Sequence, residues 1–174
     1  MAARRAVTTA VEVVALHVSP VHAYEGRPGD GPRPDPGPVS RDHVVVRAGM
    51  GLVGDRYFNH PAHRTAAVTV FAVEALAHVT DGLGLAAVPD PLVVRRNIVL
   101  RGFDVDGLDR GAVFTLDSGD GPVRFRTHRP ANPCGWMNAV IAPGAMKALR
   151  GRGGKRCVPL DDGLLRVGPA TLTT

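Results

Sequence analysis

The chain has 174 residues, of which 44% are hydrophobic, and a formal net charge of +5. A domain of that length buries roughly two-thirds of its unfolded surface, so neither disulfides nor a structural metal are needed for folding, and the apolar content excludes a generally disordered chain. No apolar run approaches the ~20 residues of a membrane helix.

The opening Met1-Ala2-Ala3-Arg4-Arg5 has the charge of an export signal, but Thr8, Thr9 and Glu12 interrupt the apolar stretch beyond it, so a cytoplasmic protein with no membrane association is expected. Residues 11–18 predict a Val-rich strand ending at Ser19-Pro20. Residues 25–40, with Pro28, Pro32, Pro34, Pro36 and Pro38 among glycines, predict an exposed loop, read as a surface excursion in preference to a substrate lid. A strand over 42–47 resumes before the glycines of 49–54 turn the chain into Asp55-Arg56. Residues 67–71 read as a strand and 74–79 as a short helix broken by Gly82 and Gly84. A strand over 92–100 carries Arg95-Arg96-Asn97. Residues 113–116 and 123–128 flank Ser118-Gly119-Asp120-Gly121 as a hairpin. Alternation places Val123, Phe125 and Thr127 on one face, with Arg124, Arg126 and His128 on the other. Pro143 opens a helix to Arg150, and residues 155–160 and 164–167 form a second hairpin. The expectation is a mainly β chain, a β-barrel with a few short helices in one domain over 1–174.

Pro133-Cys134-Gly135-Trp136 displays a thiol in a turn, where it can act as a nucleophile or a soft metal ligand; a free cysteine is also a small buried hydrophobe. Cys157, inside a predicted strand, reads as core. Around the turn, in order, stand Gly51-Leu52-Val53-Gly54-Asp55-Arg56-Tyr57, then Arg95-Arg96-Asn97-Ile98-Val99-Leu100-Arg101-Gly102, and finally Asp162-Gly163-Leu164-Leu165-Arg166-Val167-Gly168. With Pro133-Cys134 between the last two, the chain from about 11 to 168 resembles the MOSC domain, named after the C-terminal part of molybdenum-cofactor sulfurases.

That resemblance implies a β-barrel in which Cys134 binds molybdenum of the molybdopterin cofactor. It also implies an oxidoreductase that reduces small N-hydroxylated compounds. The cofactor is anionic and ends in a phosphate, which makes Arg56, Arg95, Arg96, Arg101 and Arg129 candidate partners and Asn97 a candidate hydrogen bond to the pterin. Alternation over 92–100 favours Arg95 and Asn97 over Arg96. Asp55 either orients Arg56 or caps a turn. His128, six residues before Cys134, is a candidate catalytic proton donor or thiol partner, unless it points to solvent. His60 and His63, separated by a proline and an alanine, read as loop residues. Where some bacterial MOSC proteins carry His-Gly-Gly and then Asp-Lys, this chain has His60-Pro61-Ala62-His63-Arg64 and so resembles a divergent branch.

The chain lacks a cysteine cluster for iron–sulfur ligation and a Gly-x-Gly-x-x-Gly fingerprint, so electrons are expected from a separate redox partner protein. Lysine occurs only at Lys147 and Lys155, and no pyridoxal phosphate is expected. Dispersed arginines with 5% aromatic residues argue against a nucleic acid partner. A carrier of persulfide sulfur or of the cofactor uses the same cysteine and remains an alternative, as does a cofactor-free Cys–His hydrolase, for which no third residue is evident.

Overall fold

The computed structural model describes residues 6–174, so the signal-like opening at 1–5 lies outside the described residues. Among the described residues, ten strands alternate with three short helices: β1 Thr8–Leu16, β2 His43–Arg47, β3 Gly51–Leu52, β4 Val68–Ala72, α1 Glu74–Leu83, β5 Ile98–Arg101, β6 Val113–Asp117, β7 Val123–Pro130, α2 Trp136–Val140, α3 Ala145–Ala148, β8 Lys155–Pro159, β9 Gly163–Arg166 and β10 Gly168–Thr173. The mainly β expectation holds. Seven strands close into a barrel in the order β1-β10-β6-β7-β8-β4-β5, with β5 returning to β1, and β3-β2-β9 form a separate sheet.

Side-chain alternation explains the barrel wall. On β7, Val123, Phe125 and Thr127 are buried while Arg124 and Arg126 are exposed, as the period-two pattern requires. Phe114 and Phe125 stack at 5.5 Å inside, with Val13, Leu100, Leu116 and Leu172. A second apolar cluster joins the barrel to its helices through Phe71, Leu76, Val99, Trp136, Met137 and Leu149. α1 runs through Gly82 and ends where Gly84 takes φ 63°, a conformation glycine adopts readily.

Three expectations are corrected. Residues 92–100 are not one strand: Asp90 caps a short 3-10 helix over Pro91–Val94, Arg95 turns at φ 52°, and β5 starts only at Ile98. Proline at the first helical position sets that turn, and the pairing of Arg95 with Asn97 by alternation therefore does not apply. Residues 155–160 and 164–167 are not a hairpin. β8 pairs with β4 and β7, whereas β9 pairs with β2 in the other sheet. Asp161 holds Arg124 and Asp162 accepts from Ala48 N at 2.8 Å, so the chain crosses between sheets instead of folding back. The helix expected over 143–150 shrinks to α3, and α2 forms immediately after the Cys134 turn.

Candidate functional site

Cys134 is exposed at the rim of a cavity of about 180 Å³ lined by residues from five separated segments. The stretch after β1 brings His22 and Tyr24, the turn after β3 brings Arg56 and Tyr57, and the turn before β5 brings Arg95 and Arg96. The link from β7 to α2 supplies Asn132 and Cys134, and β8 supplies Arg156. Met137 N, in the first turn of α2, donates to Cys134 O at 2.9 Å and ties the turn to that helix.

Four guanidiniums, those of Arg56, Arg95, Arg96 and Arg156, line this cavity. Arg56 lies over the Tyr57 ring at 4.6 Å and Arg156 near the same ring at 5.9 Å. Arg56 Nε and Nη1, Arg95 Nε and Arg156 Nη1 are buried without any hydrogen-bond partner. The nearest carboxylate to Arg56, Asp55, stands 3.8 Å away, beyond hydrogen-bond reach, and accepts instead from Tyr57 N at 3.1 Å and Asn97 Nδ2 at 3.0 Å. Burial raises the Asp55 carboxyl above the usual range, against the pull of Arg56. Arg96 donates from Nε to Gly153 O at 2.9 Å and from Nη2 to Ala131 O at 2.8 Å. It thereby braces the strand end that leads to Pro133-Cys134. Burial, followed by the repulsion of Arg156, lowers Arg96 to about 10, which leaves it cationic at neutral pH.

The positive field extends outward. Arg129 on β7 is the register partner of Arg156 on β8, a cross-strand like-charge pair. His63, 4.2 Å from Tyr57, is lowered by burial and then by His60, Arg156, Arg129 and Arg56; His22 is lowered by burial and then by Arg56. Burial first, and cationic neighbours after it, therefore keep both imidazoles neutral further into acid. The arrangement is a cavity rich in cationic donors with a thiol at its edge.

The sequence-based candidates divide. Cys134, Arg56, Arg95 and Arg96 all line the cavity, but Arg95 spends its fork on Asp35, at 2.7 and 3.0 Å, and on Val21 O at 3.0 Å. The preference for Arg95 and Asn97 over Arg96 is corrected. Asn97 is 2% exposed and outside the cavity, where its side chain accepts from Thr69 N and Oγ1 at 2.9 Å and donates to His17 O and Asp55. His128 is corrected as well. It does not line the cavity, and its Nε2 faces Arg110 Nη2 at 3.2 Å, because the outward side of β7 carries it past the bulge between Thr127 and Arg129. Arg101 pairs with Glu12 on the outside of the barrel. His60 Nδ1 accepts from Ala62 N at 3.3 Å in a 3-10 turn, and no cluster of three His, Cys, Asp or Glu able to hold a metal occurs among the described residues.

Sequence reasoning missed His22, Tyr24, Asn132 and Arg156. Arg156 had a signal. Cys157 is fully buried, its thiol pushed up to about 12, so alternation turns Arg156 to the opposite face of β8. A larger cleft of about 690 Å³ lies between the start of α1, residues 102–107 and Arg150–Arg152. It carries no thiol, and its Glu74 and Asp106 are bound to the backbone N–H groups of Gly102 and Gly154.

By sequence the chain matches no family model and no curated protein. By structure it is similar to YuaD from Bacillus subtilis, with a TM-score of 0.72 and 14% identity over 97% of this chain and 98% of that one. It is also similar to YiiM from Geobacillus stearothermophilus, at 0.60 and 15% identity over 93% and 74% of the two chains. YiiM from Escherichia coli gives 0.58 and 15% over 93% and 67%. At these identities the likeness concerns the fold. The closed, mainly β barrel is thus a fold shared with YuaD and YiiM. Among the described residues no helix is long and apolar enough to cross a membrane.

Proposed function

We propose that the chain binds a molybdenum cofactor through Cys134 and reduces small N-hydroxylated compounds with electrons from a separate redox partner. One observation carries this reading: an exposed thiol and four guanidiniums, three of them with an unsatisfied buried nitrogen, share one cavity. Buried polar groups without partners are rare in folded proteins, and donors of this kind suit an anionic group. The donor set fits the cofactor, since a thiolate is a soft metal ligand and the pterin's phosphate is a fork-shaped match for arginine. A cavity of about 180 Å³ is smaller than sites that enclose a whole small molecule, so a ligand larger than an oxyanion stays partly in solvent beside Cys134.

In this reading Cys134 would ligate the metal, Arg56 and Arg156 would hold the anionic group, and Arg96 keeps the floor positive while bracing the turn. When bound, the cofactor supplies a two-electron couple for removal of the substrate oxygen. The net reaction, R–NHOH + 2 e⁻ + 2 H⁺ → R–NH₂ + H₂O, draws its electrons from the redox partner. Besides Cys134, the candidate proton donors that border the cavity are His22, Tyr24 and Tyr57, and His128 does not border it. A carrier role for the same site is favoured by the open position of Cys134, which suits transfer to a second protein.

The test is molybdenum and pterin content per chain, for wild type and Cys134→Ala purified from a cofactor-producing host. Near-stoichiometric metal that is lost in the variant is the expected result. Absence of metal and pterin from the wild type would sink the reading. If metal is bound, turnover of a hydroxylamine with a supplied reductant separates enzyme from carrier.

A further inference from the structure

The proline-rich segment over residues 25–40 reaches the candidate site with one carboxylate, in addition to the backbone bond from Arg33 N to Ala23 O at 2.9 Å. Asp35 accepts from Arg95 Nη1 at 2.7 Å and Nη2 at 3.0 Å, in a two-pronged bond, and from the Ser19 hydroxyl. The side chains of Arg95 and Asp35 are only 9% and 20% exposed, so the pair is shielded from the screening that weakens surface ion pairs. Arg95 sits at φ 52°, a left-handed conformation disfavoured for a residue with a side chain, and needs such fixing.

From Arg95 the contacts lead to the thiol. Its guanidinium lies over the Tyr24 ring at 5.5 Å, and the Tyr24 hydroxyl donates to Val93 O. Tyr24 stacks on Trp136 at 5.2 Å with the rings 12° from parallel. Trp136 opens α2, two residues after Cys134, and Pro28 of the same segment packs at Gly135. The loop read from sequence as a plain surface excursion does not line the cavity itself, but through Asp35 and Pro28 it touches Arg95, which does, and Gly135 beside Cys134.

We infer that Asp35 is a positioning residue, which through Arg95, Tyr24 and Trp136 holds the Cys134 thiol over the arginine cavity. The inference rests on the reading of that cavity as the functional site, but not on which cofactor it takes. Arg95 has the charge of an anion ligand, but both its terminal nitrogens are taken by Asp35 and Val21 O, which leaves only Nε unpaired, so its main work is mechanical. Asp35 is held down to about 2, first by the Arg95 hydrogen bonds, so the clamp persists across the pH range in which a thiol is assayed.

The experiment compares Cys134 modification in the full chain by neutral iodoacetamide and by a dianionic aryl disulfide, dithiobis-nitrobenzoate. Cys157 is buried and Cys134→Ala gives the background. The ratio of anionic to neutral rate reports whether the thiol sits over the guanidiniums, whereas simple loosening moves both rates together. Asp35→Asn is expected to lower that ratio by about tenfold, in the range of supporting-residue effects at sites of this kind. It should also shift the emission of Trp136, the chain's one tryptophan. Asp35→Glu should restore most of both. If Asp35→Asn does not fold, Arg95→Lys, which keeps the charge and loses the two-pronged bond, is read in the same way. A ratio within twofold of wild type in the folded variant overturns the inference, as does a fall that Asp35→Glu fails to reverse. Because no metal enters the assay, a failure here is distinguishable from failure of the molybdenum reading.

Discussion

His17 shows how single residues behind the cavity set its pH limits. It is fully buried at the end of β1, and neither ring nitrogen has a partner. Burial, then Arg95 and Arg56, lower it from 6.5 to about 3. The folded ring is therefore neutral where the unfolded one takes up a proton. Between pH 6.5 and about 3 the unfolded state binds more protons, so stability falls as pH falls, by at most about 1.4 kcal/mol per unit. His17→Leu removes this linkage, and because no hydrogen bond is lost the substitution should be nearly neutral at pH 7. Urea titrations at pH 6.5 and 4.5 should show the wild type losing roughly 2 kcal/mol more than the variant. Equal losses would mean that His17 is not neutral in the fold.

At the scale of elements, the loop between α3 and β8 holds the site from below. A Cβ on Gly153 would meet Ala131 O at 2.2 Å, the carbonyl that accepts from Arg96 Nη2. Gly153→Ala must displace that backbone and should destabilise the chain by about 2 kcal/mol. Gly29, in the 3-10 turn Pro28–Asp30, has open space around its Cβ position, and Gly29→Ala should stay within about 0.5 kcal/mol. Chemical denaturation of both variants checks the contrast, and a mild Gly153→Ala would show that the approach is not rigid. Elements of this kind were only partly legible in the sequence. β7 was readable because its alternation is strict and one face is charged. The run 92–100 was not, because an apolar stretch beside Arg95-Arg96 has no period that distinguishes a 3-10 turn from a strand; Asp90-Pro91 held the better signal. β8 and β9 were misjudged as partners because the turn chemistry of Asp161-Asp162-Gly163 is local, whereas the sheet each strand joins is decided by distant neighbours. The same limit applies to the site. Cys134, Arg56 and Arg96 stand in motifs, while His22, Tyr24 and Arg156 reach the cavity only through barrel closure.

Across the whole molecule, exposed arginines pair with acids at Arg47–Asp162, Arg101–Glu12, Arg124–Asp161 and Arg166–Asp120, while in the thiol cavity Arg56, Arg96 and Arg156 have no carboxylate within hydrogen-bond reach, Asp55 standing 3.8 Å from Arg56. The excess of +5 is thus unevenly spread, and part of it is concentrated where donors are unsatisfied. Holding like charges together destabilises the native state, and an anion that binds only the folded chain relieves this. Phosphate at about a hundred times its dissociation constant should stabilise the chain by about 2.7 kcal/mol. For a domain of this size that raises the melting temperature by roughly 5–10 °C. Chloride at matched ionic strength should not reproduce the effect. Sulfate and phosphate also stabilise proteins by exclusion from their surfaces, so the decisive comparison is Arg56→Gln with Arg156→Gln. An excluded salt stabilises wild type and variant alike, whereas a bound anion loses most of its effect when Arg56 and Arg156, which hold three of the cavity's four unsatisfied guanidinium nitrogens, are removed. A phosphate shift that survives the double substitution would mean that the guanidiniums are satisfied by water and that the cavity has no preference for anions.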